Sequence, residues 1–143
     1  MKMTFEDLDA WKKARELVNV VYLISRDGCL AKDFGLSGQI QRAAVSIMSN
    51  IAEGFERHHS AEKLQAYNIA RGSCGEVRSL LYVIEDNYLA VSGAAARARN
   101  LLADVGSLTS GLIASTRKRL MAKVGTTVTL LVLVLWTAVE VLR

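Results

Sequence analysis

Between Ser60 and Tyr88 the chain reads SAEKLQAYNIARGSCGEVRSLLYVIEDNY, in which Tyr67, Ala70, Cys74, Val77, Leu81, Ile84 and Tyr88 recur at steps of 3, 4, 3, 4, 3 and 4. Alternating threes and fours put all seven side chains on one stripe of a helix, and a stripe of this period packs against other helices at a shallow angle. The stretch predicts a helix ending at about Asn87, with Ser60 as its N-cap, Glu62 in its first turn and His58-His59 in the break before it. Gly72 and Gly75 lie inside this helix, where each costs about 1 kcal/mol against Ala, so their presence predicts close approach of another helix at that level.

Upstream, Ile40, Ala44, Ile47, Ile51 and Phe55 fall at steps of four, three, four and four and predict a second helix from about Leu36 or Ser37 to Arg57. A polar row shares that helix. Arg42, Ser46, Ser49 and Glu53 repeat at the helical interval with Asn50 beside them, and Ala43 and Ala52 are small enough to admit a neighbour. Such a row is either a solvated face or a hydrogen-bonded contact between subunits. Nearer the N-terminus, Thr4 is placed to cap a first helix reaching about Ser25, with Glu6 and Asp7 at the positive end of its dipole. Its apolar stripe is expected at Phe5, Leu8, Trp11, Ala14, Val18, Val21 and Tyr22, and Cys29 to Gly35 reads as a connection. Downstream, Ser92 opens a fourth helix with inward residues expected at Leu101, Val105, Leu108, Leu112 and Leu120. Four helices on short loops run antiparallel to their neighbours. The expected fold is therefore all-α, an antiparallel up-and-down four-helix bundle over residues 1–123, followed by an apolar C-terminal tail over 124–143.

Composition agrees with that reading. Of the 143 residues 51% are hydrophobic and 22% charged, enough to bury a core, and the absence of proline suits long helices better than a turn-rich β-sandwich. Cys29 and Cys74 lie far apart, with no Cys-x-x-Cys pair and no histidine cluster, so neither a zinc site nor a disulfide framework is signalled and a reduced, cytoplasmic protein is expected. The start, Met1-Lys2-Met3-Thr4-Phe5-Glu6-Asp7, turns acidic at once and lacks the apolar run of a secretory signal. The net charge of +4 is unevenly placed: residues 1–86 hold 11 basic and 12 acidic side chains, residues 87–143 hold 7 and 2. That bias makes Arg97, Arg99, Arg117, Lys118 and Arg119 candidates for contacts with nucleic-acid phosphates, with Arg57 and Lys63 as second contributors, against the plainer reading of a solvated face.

From Val124 to Val139 there is no charge, and Val128 to Trp136 is more apolar than an exposed bundle face permits. Sixteen residues of helix span about 24 Å, short of the ~30 Å hydrocarbon core of a bilayer. The segment is read first as packed or subunit-contacting, then as a membrane tail with Lys118, Arg119 and Lys123 on its cytoplasmic flank, and last as an accidental extension of the reading frame. Its Val and Thr content weakens the expectation of helix, and left exposed it would favour aggregation.

Familiar catalytic patterns are missing. Asn50 and Glu53 lie one helical turn apart, but no Glu-x-x-His stands on another helix to complete a di-iron carboxylate site. His58 and His59 are adjacent, so their rings point apart in a regular element, and no nucleophile elbow, P-loop or dinucleotide fingerprint occurs. No enzyme activity, cofactor or metal is expected.

The run Gln39-Ile40-Gln41-Arg42-Ala43-Ala44-Val45-Ser46-Ile47-Met48-Ser49-Asn50-Ile51-Ala52-Glu53-Gly54-Phe55-Glu56-Arg57 resembles the signature of small bacterial four-helix-bundle proteins encoded within intervening sequences of large-subunit ribosomal RNA genes. Asp7-Leu8-Asp9-Ala10-Trp11-Lys12-Lys13-Ala14 resembles that family's opening helix, and Ala70-Arg71-Gly72-Ser73-Cys74-Gly75-Glu76 its helix-three motif, so the likeness runs over roughly residues 5–120. Met48 stands where the family usually has proline, the usual first-loop proline is missing near Ala31, and the apolar tail is not a family feature. The resemblance implies a homo-oligomer, a five-fold ring, without established enzyme activity. It also implies kinship with accessory proteins of diversity-generating retroelements that bind nucleic acid and a reverse transcriptase. By motif match it singles out Arg42, Ser46, Asn50, Glu53 and Arg57 of helix two and Arg71, Ser73 and Glu76 of helix three. Arg, Glu, Asn and Ser on facing helices fix register through charge-assisted hydrogen bonds, so a structural or oligomer-forming role is expected of this seam rather than a catalytic one.

Two classes of function follow. In the first, a non-enzymatic homo-oligomeric scaffold binds RNA or DNA through its basic surface; few aromatic residues are left for stacking on bases, since Trp11 and Tyr67 belong to the expected core. In the alternative, the bundle is a structural or protein-interaction module without nucleic-acid binding, tail-anchored to a membrane through Val124 to Val139.

Overall fold

The computed structural model describes residues 3–141, by backbone alone at 133–135 and 137–141. A 3-10 turn at Phe5–Asp7 leads into α1 (Asp9–Ser25), a second at Leu30–Lys32 leads into α2 (Phe34–Glu56), α3 (Ser60–Asn87) follows, and a third at Leu89–Val91 opens α4 (Ser92–Val141). Cross-helix pairs give the run of the bundle. α2 meets α3 through Asp33–Tyr88, Gln39–Glu76, Ser46–Ser73 and Gly54–Tyr67, so numbers rise on one helix as they fall on the other. α3 meets α4 through Glu85–Arg99 at one end, while Lys63 and Tyr67 feel the charge of Arg119 at the other. α1 packs between α2 and α4 and closes the antiparallel square.

The stripe on α3 is the core's best-read element: Tyr67, Ala70, Cys74, Val77, Leu81 and Ile84 are all buried, as are Ile40, Ala44, Ile47 and Ile51 of α2. On α1 the buried row is Ala10, Ala14, Leu17, Val21 and Ile24, whereas Trp11, Val18 and Tyr22 of the expected stripe are only half-buried and Phe5 sits in the preceding turn. The expected row was drawn through the aromatics. Large rings cover the flank of the bundle, with Phe5 edge-on to Trp11 at 5.1 Å and Arg15 over the indole, while compact aliphatics take the centre. α4 shows the same one-residue offset. Ala95, Ala98, Leu102, Val105, Thr109 and Ile113 face inward, Leu101 and Leu112 pack at the margin, and Leu108 is exposed. Thr109 carries a hydroxyl into this core with no partner among the described residues, an uncompensated cost of about 1–3 kcal/mol.

Helix starts also differ from expectation. Thr4 caps the 3-10 turn, in a reciprocal capping box with Asp7, rather than α1 itself. α2 begins at Phe34 because Asp33 is its N-cap: Oδ1 accepts from the Leu36 amide at 3.0 Å. α3 begins at Ser60, with His59 in the cap position and no side-chain cap bond. The connection before α2 is not merely a spacer, since Leu30 is buried in the core.

The glycines sort by what a methyl group would meet. At Gly54 a Cβ would overlap the buried Tyr67 ring, so this is where two helices approach too closely for a side chain. At Gly72 and Gly75 a Cβ would meet nothing within 4 Å, so the close approach expected there does not occur within one chain. Residues 92–119 of α4 run alongside α3; the remaining turns, about 33 Å of helix to Val141, project beyond the bundle, and every residue from Met121 to Val132 is exposed. The tail is thus a continuation of α4, with no break at 123–124; its last two residues, Leu142 and Arg143, lie outside the described residues.

Two outcomes follow. Gly54→Ala should destabilise the fold by about 1–3 kcal/mol through overpacking, while Gly72→Ala should stabilise it by up to about 1 kcal/mol, both read by urea unfolding. Asp33 also accepts from the Tyr88 hydroxyl at 2.8 Å, and the Leu36 amide first, then Tyr88, hold its carboxyl below the ordinary aspartate value. A depressed pKa gives stability that is present above the unfolded value, about pH 4, and lost as pH falls through the lower folded value. Asp33→Asn should therefore lower the Tm at neutral pH and flatten its decline below about pH 4.

Candidate nucleic-acid interface and polar seam

Helical geometry separates the basic candidates into two groups. Arg97 and Arg99 lie near the start of α4 and Arg117, Lys118 and Arg119 where α4 leaves the bundle, roughly 30 Å further along the axis. Arg57 and Lys63 border the α2–α3 turn, and so stand at the same end as Arg119. All seven do not form one patch.

Their partners differ as well. Arg99 Nε lies 2.7 Å from Glu85 Oε1, with both atoms sealed from solvent, and its guanidinium sits 5.0 Å from the Tyr82 ring centroid. The approach is an ion contact rather than a straight hydrogen bond, and the Tyr82 hydroxyl first, then Glu85, raise the Arg99 pKa. Arg57 donates to Glu53 Oε1 at 2.6 Å in an exposed pair one turn long, which raises its pKa. Lys63 Nζ donates to the carbonyls of Phe55 at 2.6 Å and Gly54 at 3.2 Å and so satisfies acceptors at the C-terminal end of α2. Desolvation, then the charge of Arg119, lowers its pKa. Arg97, Arg117, Lys118 and Arg119 are exposed and make no ion pair among the described residues.

The polar seam also divides. Ser46 Oγ and Ser73 Oγ are hydrogen-bonded at 2.9 Å, and Asn50 Nδ2 donates to the Ser46 carbonyl at 2.8 Å and to its hydroxyl at 3.2 Å. Gln39 Nε2 donates to Glu76 Oε1 at 3.3 Å one level along. Ser46 with Ser73 and Gln39 with Glu76 tie α2 to α3 inside one chain, while Asn50 bonds only within α2. Arg42 stands apart in a shallow hollow with Tyr22 and Gln41, Glu53 turns to Arg57, and Arg71 lies on the opposite side of α3, facing α4. Spacing places Arg42, Ser46 and Glu53 in one row of α2 but sets Arg71 and Ser73, two residues apart, on different sides of α3, and it does not say which neighbour each would meet.

Elsewhere the chemistry is quiet. Burial pushes the Cys74 thiol up to about 11, against the smaller opposing influence of Arg78 and Arg71, so it stays protonated at neutral pH; Cys29 is exposed and both are free. No group of three His, Cys, Asp or Glu placed to hold a metal occurs among the described residues. Among them, too, no helix is long and apolar enough to cross a membrane.

The model of the family described as 23S rRNA-intervening sequence protein matches residues 6–111. A crystal structure from Bacteroides thetaiotaomicron, of a protein with unknown function from the S23 ribosomal protein family, is similar at a TM-score of 0.65 and 24% identity, over 73% of this chain and 94% of that one; the likeness is one of fold. No match is found among curated proteins.

The seam supplies its own test. Ser73→Ala should cost about 0.5–1.5 kcal/mol in urea unfolding, and combining it with Ser46→Ala should cost less than the two singles together, because the second change removes a partner already lost.

Proposed function

The chain belongs to the 23S rRNA-intervening sequence protein family, and from that membership we propose that it acts without catalysis, as a cytoplasmic homo-oligomeric scaffold, pentameric in form, that binds RNA or DNA through a basic surface. The observation that carries the assembly is apolar surface left uncovered within one chain. Ile69 and Val83 of α3 are exposed, and α4 projects Met121, Val124, Val128, Leu130, Leu131 and Val132 into solvent. An uncovered apolar helix such as α4 from Met121 to Val132 marks a protein contact, and copies of the chain supply matching helices to cover it. The nucleic-acid half rests on Arg117, Lys118 and Arg119, exposed together at one end of every copy. In a ring the cluster repeats, so weak contacts with successive phosphates add through avidity, with little dependence on base sequence.

The test is absolute mass by light scattering on the full-length protein and on residues 1–123, with labelled RNA and DNA added at low and high salt. The expected full-length particle is an oligomer of the 15.6 kDa chain whose nucleic-acid binding weakens steeply with salt. Replacing Arg117, Lys118 and Arg119 with Ala should lower affinity about tenfold or more at low salt without changing the mass. A monomer, or a particle that stays in solution only with detergent, overturns the scaffold; an oligomer indifferent to nucleic acid is a protein-interaction module. Glu53→Ala separates fold from assembly, because its exposed pair with Arg57 contributes little to the monomer, so a loss of mass in a folded variant puts Glu53 at a subunit contact.

A further inference from the structure

Between α3 and α4 runs an open groove of about 340 Å³ that neither the seam nor the basic end of the bundle uses. Arg71 and Arg78 stand on its α3 side, two helical turns or about 10 Å apart, and Arg99 closes one end from α4. None of the residues lining it is acidic. Arg99 already shares its charge with Glu85, but Arg71 and Arg78 are exposed and make no ion pair among the described residues. Two exposed guanidiniums about 10 Å apart on one groove wall, with no carboxylate lining it, raise the local positive potential and favour an anion there.

The groove's lining gives a second sign. Gly75 of α3 and Gly106 of α4 both open onto it, and at each a Cβ would meet nothing within 4 Å. Glycine inside a helix weakens it relative to alanine, and nothing within the chain needs the missing side chain at either place. What both glycines secure is clearance beside the arginines. A strand of nucleic acid uses that clearance, since its backbone must lie close to the protein for guanidinium forks to reach phosphate oxygens.

We propose that the α3–α4 groove is a phosphate-binding track for a nucleic-acid strand, in which Arg71 and Arg78 each take a separate phosphate while Gly75 and Gly106 leave room for the backbone. The separation of the two arginines suits a chain of repeated charges better than one small anion. This assignment rests on the scaffold's binding nucleic acid and moves Arg71 from the structural seam to the binding surface.

The experiment uses the full-length protein and a labelled single-stranded RNA of mixed sequence, with fluorescence anisotropy across a salt series and light scattering in parallel. Arg71→Ala combined with Arg78→Ala should weaken binding about tenfold or more at low salt and flatten the plot of log affinity against log salt by about 1.4, the loss of two single-strand phosphate contacts. Gly106→Glu, which places a carboxylate in the groove while improving helix propensity, should weaken binding as well with no loss of Tm. Unchanged mass in both variants is part of the expected result. Binding that survives both changes but is lost with Arg117, Lys118 and Arg119 overturns the groove and leaves the scaffold reading standing. A fall in mass in either variant overturns it in favour of a subunit contact, and a wild-type protein that binds no RNA overturns both readings together.

Discussion

Burial of the inner stripe of α3 is the constraint from which the rest of the bundle follows. Val77, Leu81 and Ile84 are wholly removed from solvent, and each aliphatic side chain of that size contributes about 1.5–3 kcal/mol when buried. The hydrogen bonds beside them, Ser46 with Ser73 and Gln39 with Glu76, are worth about 0.5–1.5 kcal/mol each, so they tune an alignment that packing has already imposed. A stripe of alternating threes and fours keeps α3 in line with its neighbours over its whole length. That alignment lets Asp33 meet Tyr88 near one end and Gly54 meet Tyr67 near the other.

The same alignment sorts the charges. Near the α2–α3 turn, Lys63 is drawn onto the last carbonyls of α2 and Arg57 onto Glu53, because helix termini and one-turn neighbours are the nearest acceptors. Arg99 is pinned between Glu85 and Tyr82. What remains available to an outside anion is therefore smaller than the count of basic residues suggests, and it lies in separate places, among them Arg97 near the start of α4, the point where α4 leaves the bundle, and the α3–α4 groove.

Apolar surface is divided in a similar way. Within the bundle most of it is covered, with Leu23, Phe34, Ile69 and Val83 among the exceptions, but α4 outruns its neighbours by several turns and carries Met121 to Val132 beyond the other described helices. The glycines divide likewise: Gly72 and Gly75 are exposed, Gly75 onto the α3–α4 groove, whereas Gly54 is enclosed by the Tyr67 ring.

Much of this was legible from residue spacing. The four helices, the inner faces of α2 and α3 and the anomaly of the apolar tail follow from periodicity and composition, which act locally along the chain. The one-residue offsets on α1 and α4 did not, because size drew the reading to Trp11, Tyr22 and Leu108, while position in the bundle is settled by which side chains the facing helices leave room for. The pairing of charges was equally out of reach. Whether Arg71 faces Glu53 or an empty groove depends on the rotation of α3 between two neighbours, and only the packed bundle sets that rotation. The sequence by itself determined that these helices form and which broad faces they bury; the tertiary structure decided which polar groups are paired inside the chain and which face solvent, since that depends on distances between residues far apart in sequence.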